Sequence, residues 1–196
     1  MMEENAVLRG DDARVGELQG QGWRVVARSW GARLNAADVD TVLLSTILEH
    51  VRMDVLVREL EPSDRPAIMA LDDTTIGDYP GGVATIHNVL SPQRATVSGI
   101  RRGFGVITPD GEVIAMTFVD VDGTQVETDF TVVAKEWRGC GLATAVKAAS
   151  VLALLLDGAK CFRTGGSHDN VASLAANTSL GYTIDEAWLT LAAPAL

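Results

Sequence analysis

Cysteine, tyrosine and long apolar runs are scarce in this sequence, and positive charge is outnumbered. Only two cysteines are present, Cys140 and Cys161, in unlike contexts. They set up no disulfide framework, so a reducing cytoplasmic compartment is expected. Lysine and arginine number 16 against 26 acids, a net charge of -10, which argues against nucleic acid as a partner because phosphate binding needs a basic face. The acidity suits a cationic or amine ligand and also serves solubility. The longest greasy stretch, Ala148 to Leu156, has about half the length of a membrane span, so no membrane partner is expected. The first residues, MMEENAVLRGDD, lack the basic start and apolar run of a signal peptide. What is present, 47% hydrophobic residues over 196 positions, suffices for one ordinary globular domain, or for one domain with an appended subdomain.

The pattern along the chain predicts a strand at Asn5 to Arg9, a short helix at Asp11 to Gln19 and a strand at Trp23 to Trp30. Asn35 is read as the cap of a helix over Ala36 to Met53, with Val39, Val42, Leu43, Ile47 and Val51 inward. A strand at Asp54 to Glu59 and a helix capped by Ser63 follow. An irregular stretch then runs from Asp72 to Val89, and Ser91-Pro92 opens a short helix. Pro109-Asp110-Gly111 and Asp122-Gly123 mark tight turns between strands at Gly103 to Thr108, Glu112 to Val121 and Gln125 to Val133. A helix at Leu142 to Leu156, a strand at Cys161 to Thr164, a helix at Asn170 to Leu180 and a strand at Thr183 to Thr190 complete the chain. The expected class is α/β, a mixed sheet with helices on both faces, plus a small N-terminal β-α-β-α extension. Gly22-Trp23-Arg24-Val25 with Trp30 echoes Gly181-Tyr182-Thr183-Ile184 with Trp188. Helix-to-strand turns also look alike in general; on the bolder reading the division is drawn as residues 1–53, a remnant of a preceding half, and residues 54–196.

The chemistry centres on Val132 to Ala143, VVAKEWRGCGLA. A strand end, a glycine-bearing turn and a helix start place backbone N–H groups at the positive end of a helix dipole, which is a phosphate cradle. No Gly-Lys-Ser/Thr closes the turn and Lys147 lies inside the helix, so this is not a Walker loop. Thr144 stands where a dinucleotide fingerprint needs its third glycine. Cys140 is read as a small turn residue or a reactive thiol. In the preceding strand Glu127, Asp129 and Thr131 are expected on one face, with Val126, Phe130 and Val132 on the other. Two carboxylates on one face would raise each other's pKa and suit base work. They would equally form a solvated edge or bind a cation.

Arg138-Gly139-Cys140-Gly141-Leu142-Ala143 resembles the Arg/Gln-x-x-Gly-x-Gly/Ala element of the GNAT superfamily of acyl-CoA-dependent N-acyltransferases. Asn170-Val171-Ala172-Ser173 and Asn177-Thr178-Ser179-Leu180-Gly181-Tyr182 resemble its downstream segment, and VLVRELEPSDRPAIMAL its first strand and helix. The resemblance implies a sheet splayed between the family's fourth and fifth strands, with acetyl-CoA (coenzyme A) in the notch. Val132, Val133 and Ala134 would pair with the pantetheine arm, and the amides of Arg138, Gly139, Cys140, Gly141, Leu142 and Ala143 would hold the pyrophosphate. Asn170 and Asn177 would sit near the thioester; alternatively Asn170 is a helix cap and Asn177 a solvated amide.

Glu127 is the candidate base and Asp129 the second, acting on the primary amine of a small molecule or peptide, with no metal. Asn177 stands where the family commonly has an acidic Tyr, which leaves the general acid unassigned, with Tyr79, Tyr182 and His168 as candidates. Gly166 replaces an Asn carried by similar relatives. Two other readings stay open: a non-catalytic acyl-CoA-binding or dimerisation module, which would make a homodimer possible, and a nucleotide-binding regulator.

Overall fold

The computed structural model describes residues 5–51, 54–78 and 89–194. Its strands are β1 (Asn5–Arg9), β2 (Arg24–Asn35), β3 (Leu56–Glu59), β4 (Arg101–Ile107), β5 (Val113–Asp122), β6 (Gln125–Val133), β7 (Cys161–Ser167) and β8 (Thr183–Ala192). The helices are α1 (Arg14–Gly20), α2 (Thr41–Glu49), α3 (Arg65–Thr75), α4 (Leu142–Leu156) and α5 (Val171–Ser179). All eight strands form one mixed sheet in the order β1-β8-β2-β7-β6-β5-β4-β3. Only β6 and β7 pair in parallel, and they are joined by α4, the long crossover that parallel neighbours require.

Alternation along β5 sorts the core into two layers. Met116 and Phe118 pack with Ile68 and Leu71 of α3, while Ala115 and Val119 turn to the side held by α4. Helix α4 is apolar nearly all round because α2 covers part of it: Leu44, Ile47 and Leu48 of α2 join Ala148, Val151 and Leu154.

Three helix starts differ from expectation, each because a different side chain wins the cap. Asp40 Oδ1 accepts from Leu43 N (2.9 Å) and starts α2, whereas the Asn35 amide donates to Asp38. The helix is therefore shorter, and Val42 and Leu43 face solvent rather than the core. Glu61 and Asp64 form a reciprocal capping box before α3, in place of a Ser63 cap. Ser91-Pro92 makes a single turn closed by Ser91 Oγ and Arg94 N, not a helix. The middle of the long irregular stretch, with Tyr79 and His87, lies outside the described residues.

Both N-terminal strands belong to this one sheet, β1 at its edge and β2 in its interior. β2 pairs antiparallel with both β7 and β8, and β1 pairs with the far edge of β8. Two strand–helix–strand units, β1-α1-β2 and β7-α5-β8, thus interlock with approximate twofold symmetry. The echo seen in the sequence is reproduced in the hydrogen bonds at the helix ends. Gly22 N and Trp23 N donate to Gln19 O and Leu18 O; Gly181 N and Tyr182 N donate to Thr178 O and Asn177 O. Each second strand carries one bulged residue, Val26 in β2 and Asp185 in β8.

Candidate functional site: a cleft where β6 and β7 part

Parallel pairing of β6 with β7 covers only Gln125↔Cys161, Val126↔Phe162 and Glu127↔Arg163. Beyond that rung the strands diverge, β6 held by β5 and β7 by β2. The gap opens into a cleft of about 1030 Å³, lined by Glu127 to Val133, by the turn at Arg138, Gly139 and Gly141 with the first residues of α4, by Thr164 to Ser167 and by one side of α5 from Ala172 to Ser179.

On the β6 wall, Ala134 N donates to Ile114 O (2.9 Å), so the alternation of a strand turns the amide groups of Val133 toward the cleft. Arg138 Nε donates to Val133 O (3.1 Å), and its Nη2 to Asp78 (2.7 Å). Of Val132, Val133 and Ala134, Val133 therefore presents backbone groups to a ligand; Ala134 O also accepts from Trp137 N.

At the end of the cleft the turn runs directly into α4. Gly139 (φ 77°) and Gly141 (φ 78°) take the left-handed conformation that a side chain resists. Gly141 occupies the N-cap position, and no side chain caps the 15-residue helix. The first-turn N–H groups of α4, those of Leu142 and Ala143 among them, therefore meet a ligand or solvent. Cys140 is exposed, with Sγ 3.7 Å from Arg138 O.

The carboxylates behave differently from expectation. A bulge at Asp129, between the rungs Val119↔Thr128 and Phe118↔Phe130, reverses the strand's facing. Val126 packs on the α4 side, while Phe130 and Val132 pack on the α3 side. Glu127, Asp129 and Thr131 accordingly do not share one face; Thr131 bonds Thr117 on the α4 side (2.8 Å). Glu127 stands at the last paired rung. Burial raises its carboxyl pKa, Arg163 opposes that, and Glu186 and Asp120 add to it. Burial also pushes Asp129 up, but hydrogen bonds from Arg101 (2.7 Å) and Arg94 (2.5 Å) outweigh it and hold that carboxyl below the usual range. The two acids do not raise one another.

Asn170 caps α5 through Oδ1 to Ser173 N (3.0 Å) and also lines the cleft. Asn177 is not a solvated amide. It is buried away from the cleft wall, with Nδ2 on Ser173 O (2.8 Å) and Oδ1 without a partner among the described residues. Tyr182 is buried, and desolvation raises its phenol pKa.

Two cleft residues escaped the sequence reading. Trp30 of β2 is buried, donates from Nε1 to Ser167 O (3.1 Å) and fills the space beside Gly166. A Cβ at Gly166 would stand 2.9 Å from the indole, which explains glycine at that position. Lys147 of α4 reaches the vertex where the strands part. Its Nζ lies 3.3 Å from Thr164 Oγ1 and 5.9 Å from the centre of the Tyr182 ring. Burial pushes its pKa down to about 7, with Glu127 as the charged neighbour opposing the shift. The signal was a single charge in an otherwise apolar helix.

No family model matches the sequence, and no curated protein matches it. Solved structures do resemble the fold. A GCN5-related N-acetyltransferase from Sphaerobacter thermophilus superposes with a TM-score of 0.69 at 13% identity, over 99% of this chain and 62% of that one. A tandem GNAT protein from the clavulanic acid biosynthesis pathway gives 0.68 at 18% identity, over 98% and 65%. A GCN5-related N-acetyltransferase from Kribbella flavida gives 0.64 at 16% identity, over 98% and 68%. The chain thus spans about two thirds of the length of these structures. With its splayed strands and the glycine turn leading into α4, it has the fold of the GCN5-related N-acetyltransferases.

Proposed function

We propose that the protein is an acyl-CoA-dependent N-acyltransferase that moves an acetyl group to the primary amine of a small molecule or peptide. The carrying observation is the continuity of the cleft. An unpaired strand edge at Val133 leads through two left-handed glycines to an uncapped helix start, which suits an extended amide-bearing arm ending in phosphates. Val133 would pair with the arm, the amides from Arg138 to Ala143 would hold the pyrophosphate, and the side-chain NH2 of Asn170 would face the arm's far end. The proposal omits Asn177, which does not line the cleft.

Glu127 is assigned as the base. It stands at the vertex, and its raised pKa makes it a better proton acceptor than an ordinary glutamate. Asp129, ionised between two arginines, serves instead to fix Arg101 and the cleft-lining Arg94. Thiol release from acetyl-CoA is expected with at least one member of a primary-amine panel. Glu127→Gln should lower kcat about 10²-fold, and the wild-type rate should climb with pH through the raised Glu127 pKa. Absence of thiol release with every amine, or an unchanged Glu127→Gln rate, would overturn the assignment.

A further inference from the structure

The cleft contains a buried lysine, and the transfer chemistry gives it a role. Amide formation releases a thiolate, and a proton delivered as the carbon–sulfur bond breaks eases its departure. Arginines such as Arg94 and Arg138 do not give up protons near neutrality, and the hydroxyls of Thr164, Ser167 and Ser173 are far weaker acids. Tyr182 is buried, with Lys147 over its ring rather than the cleft.

Lys147 differs from these in both position and chemistry. It lies on the cleft wall and is only 5% exposed as a residue. Its packing brings it against Thr164 of β7, the Tyr182 ring before β8 and the field of Glu127 from β6. Among the described residues it makes no ion pair, and Thr164 Oγ1 is its one hydrogen-bond partner, so two of its three N–H groups remain for a ligand. A structural lysine would gain by reaching solvent or a carboxylate.

We propose that Lys147 is the general acid of the transfer, a role that rests on the acyltransferase reading above. The amine nitrogen bonds to the acyl carbon and loses a proton to Glu127. The carbon–sulfur bond breaks, and Lys147 Nζ gives a proton to the sulfur, leaving amide, free thiol, a protonated Glu127 and a neutral Lys147. Return of the proton from Glu127 to Lys147 resets the site, so no outside acid is consumed.

Two measurements test this. In the first, the folded protein is labelled with trace acetic anhydride across pH 6 to 10, and the three lysines, Lys135, Lys147 and Lys160, are followed by peptide mass spectrometry. Lys147 should titrate near the lowered value of about 7 instead of 10.5, and saturating coenzyme A should suppress its labelling. A Lys147 midpoint near 10.5, or labelling indifferent to coenzyme A, would overturn the proposal. In the second, Lys147→Met should lose about 10²-fold in kcat and should lack the alkaline decline expected of the wild type above about pH 7, while still binding coenzyme A by calorimetry. A Lys147→Met enzyme with wild-type kcat and pH profile would sink the acid assignment alone. A wild type that neither binds coenzyme A nor releases thiol would sink the acyltransferase reading beneath it.

Discussion

Lys147→Met is the perturbation whose effect on stability follows most directly from the structure. The ammonium is held in a buried site, and its pKa falls from 10.5 to about 7 on folding. The folded state therefore binds this proton less tightly than the unfolded chain. The resulting penalty is fully present below about pH 7 and is relieved as pH rises toward 10.5. At 1.36 kcal/mol per pKa unit, its ceiling is about 5 kcal/mol, offset by the lost bond to Thr164. Met keeps the length and apolar body of the side chain without the charge. The variant should accordingly be more stable than wild type at pH 6.5, an unusual sign for a core substitution. Between pH 7 and pH 9 the wild type should recover about 2 kcal/mol relative to the variant. Urea unfolding at half-unit pH steps measures the difference, and groups common to both proteins cancel. A stability gap that stays constant within about 0.5 kcal/mol from pH 7 to 9 would refute the reasoning, because an ordinary lysine pKa gives that result.

Trp30 and Gly166 form a second testable pair. Trp30→Ala should cost about 3–5 kcal/mol in urea unfolding, and Gly166→Asn should destabilise by driving a side chain into the indole, with partial recovery when combined with Trp30→Ala. Asp129→Asn should cost about 1–3 kcal/mol near neutrality by weakening the support of the half-buried Arg101. Because the folded-state pKa of Asp129 is lowered, that gap should be full above the usual carboxylate range and shrink as pH falls through the lowered value, which acid unfolding of both proteins would follow.

What could be read from the residues divides along physical lines. The bounds of β6 and α4 were legible because strong local signals agree: a tight turn before, paired glycines between and a run of helix formers after. The bulge at Asp129 was not legible, since alternation assumes a regular ladder and nothing local marks the extra residue; one bulge reversed half the expected facing. Trp30 was missed as a cleft residue because its partner, Ser167, lies 137 positions away. The insertion of β2 between β7 and β8 was likewise hidden, although the Gly22 and Gly181 echo recorded the symmetry that produces it. Cap competition among Asn35, Asp40, Glu61 and Ser63 shifted helix starts without disturbing the sheet.

The central claim is that the β6 edge and the turn after it form one continuous site for an acyl-CoA. Backbone amide exchange, followed residue by residue with and without saturating coenzyme A, tests it most directly. The expected result is added protection concentrated at Val133 and from Gly139 to Thr144, with β3 and β4 unchanged. Binding without protection at those amides, or no binding to the folded protein, would contradict it.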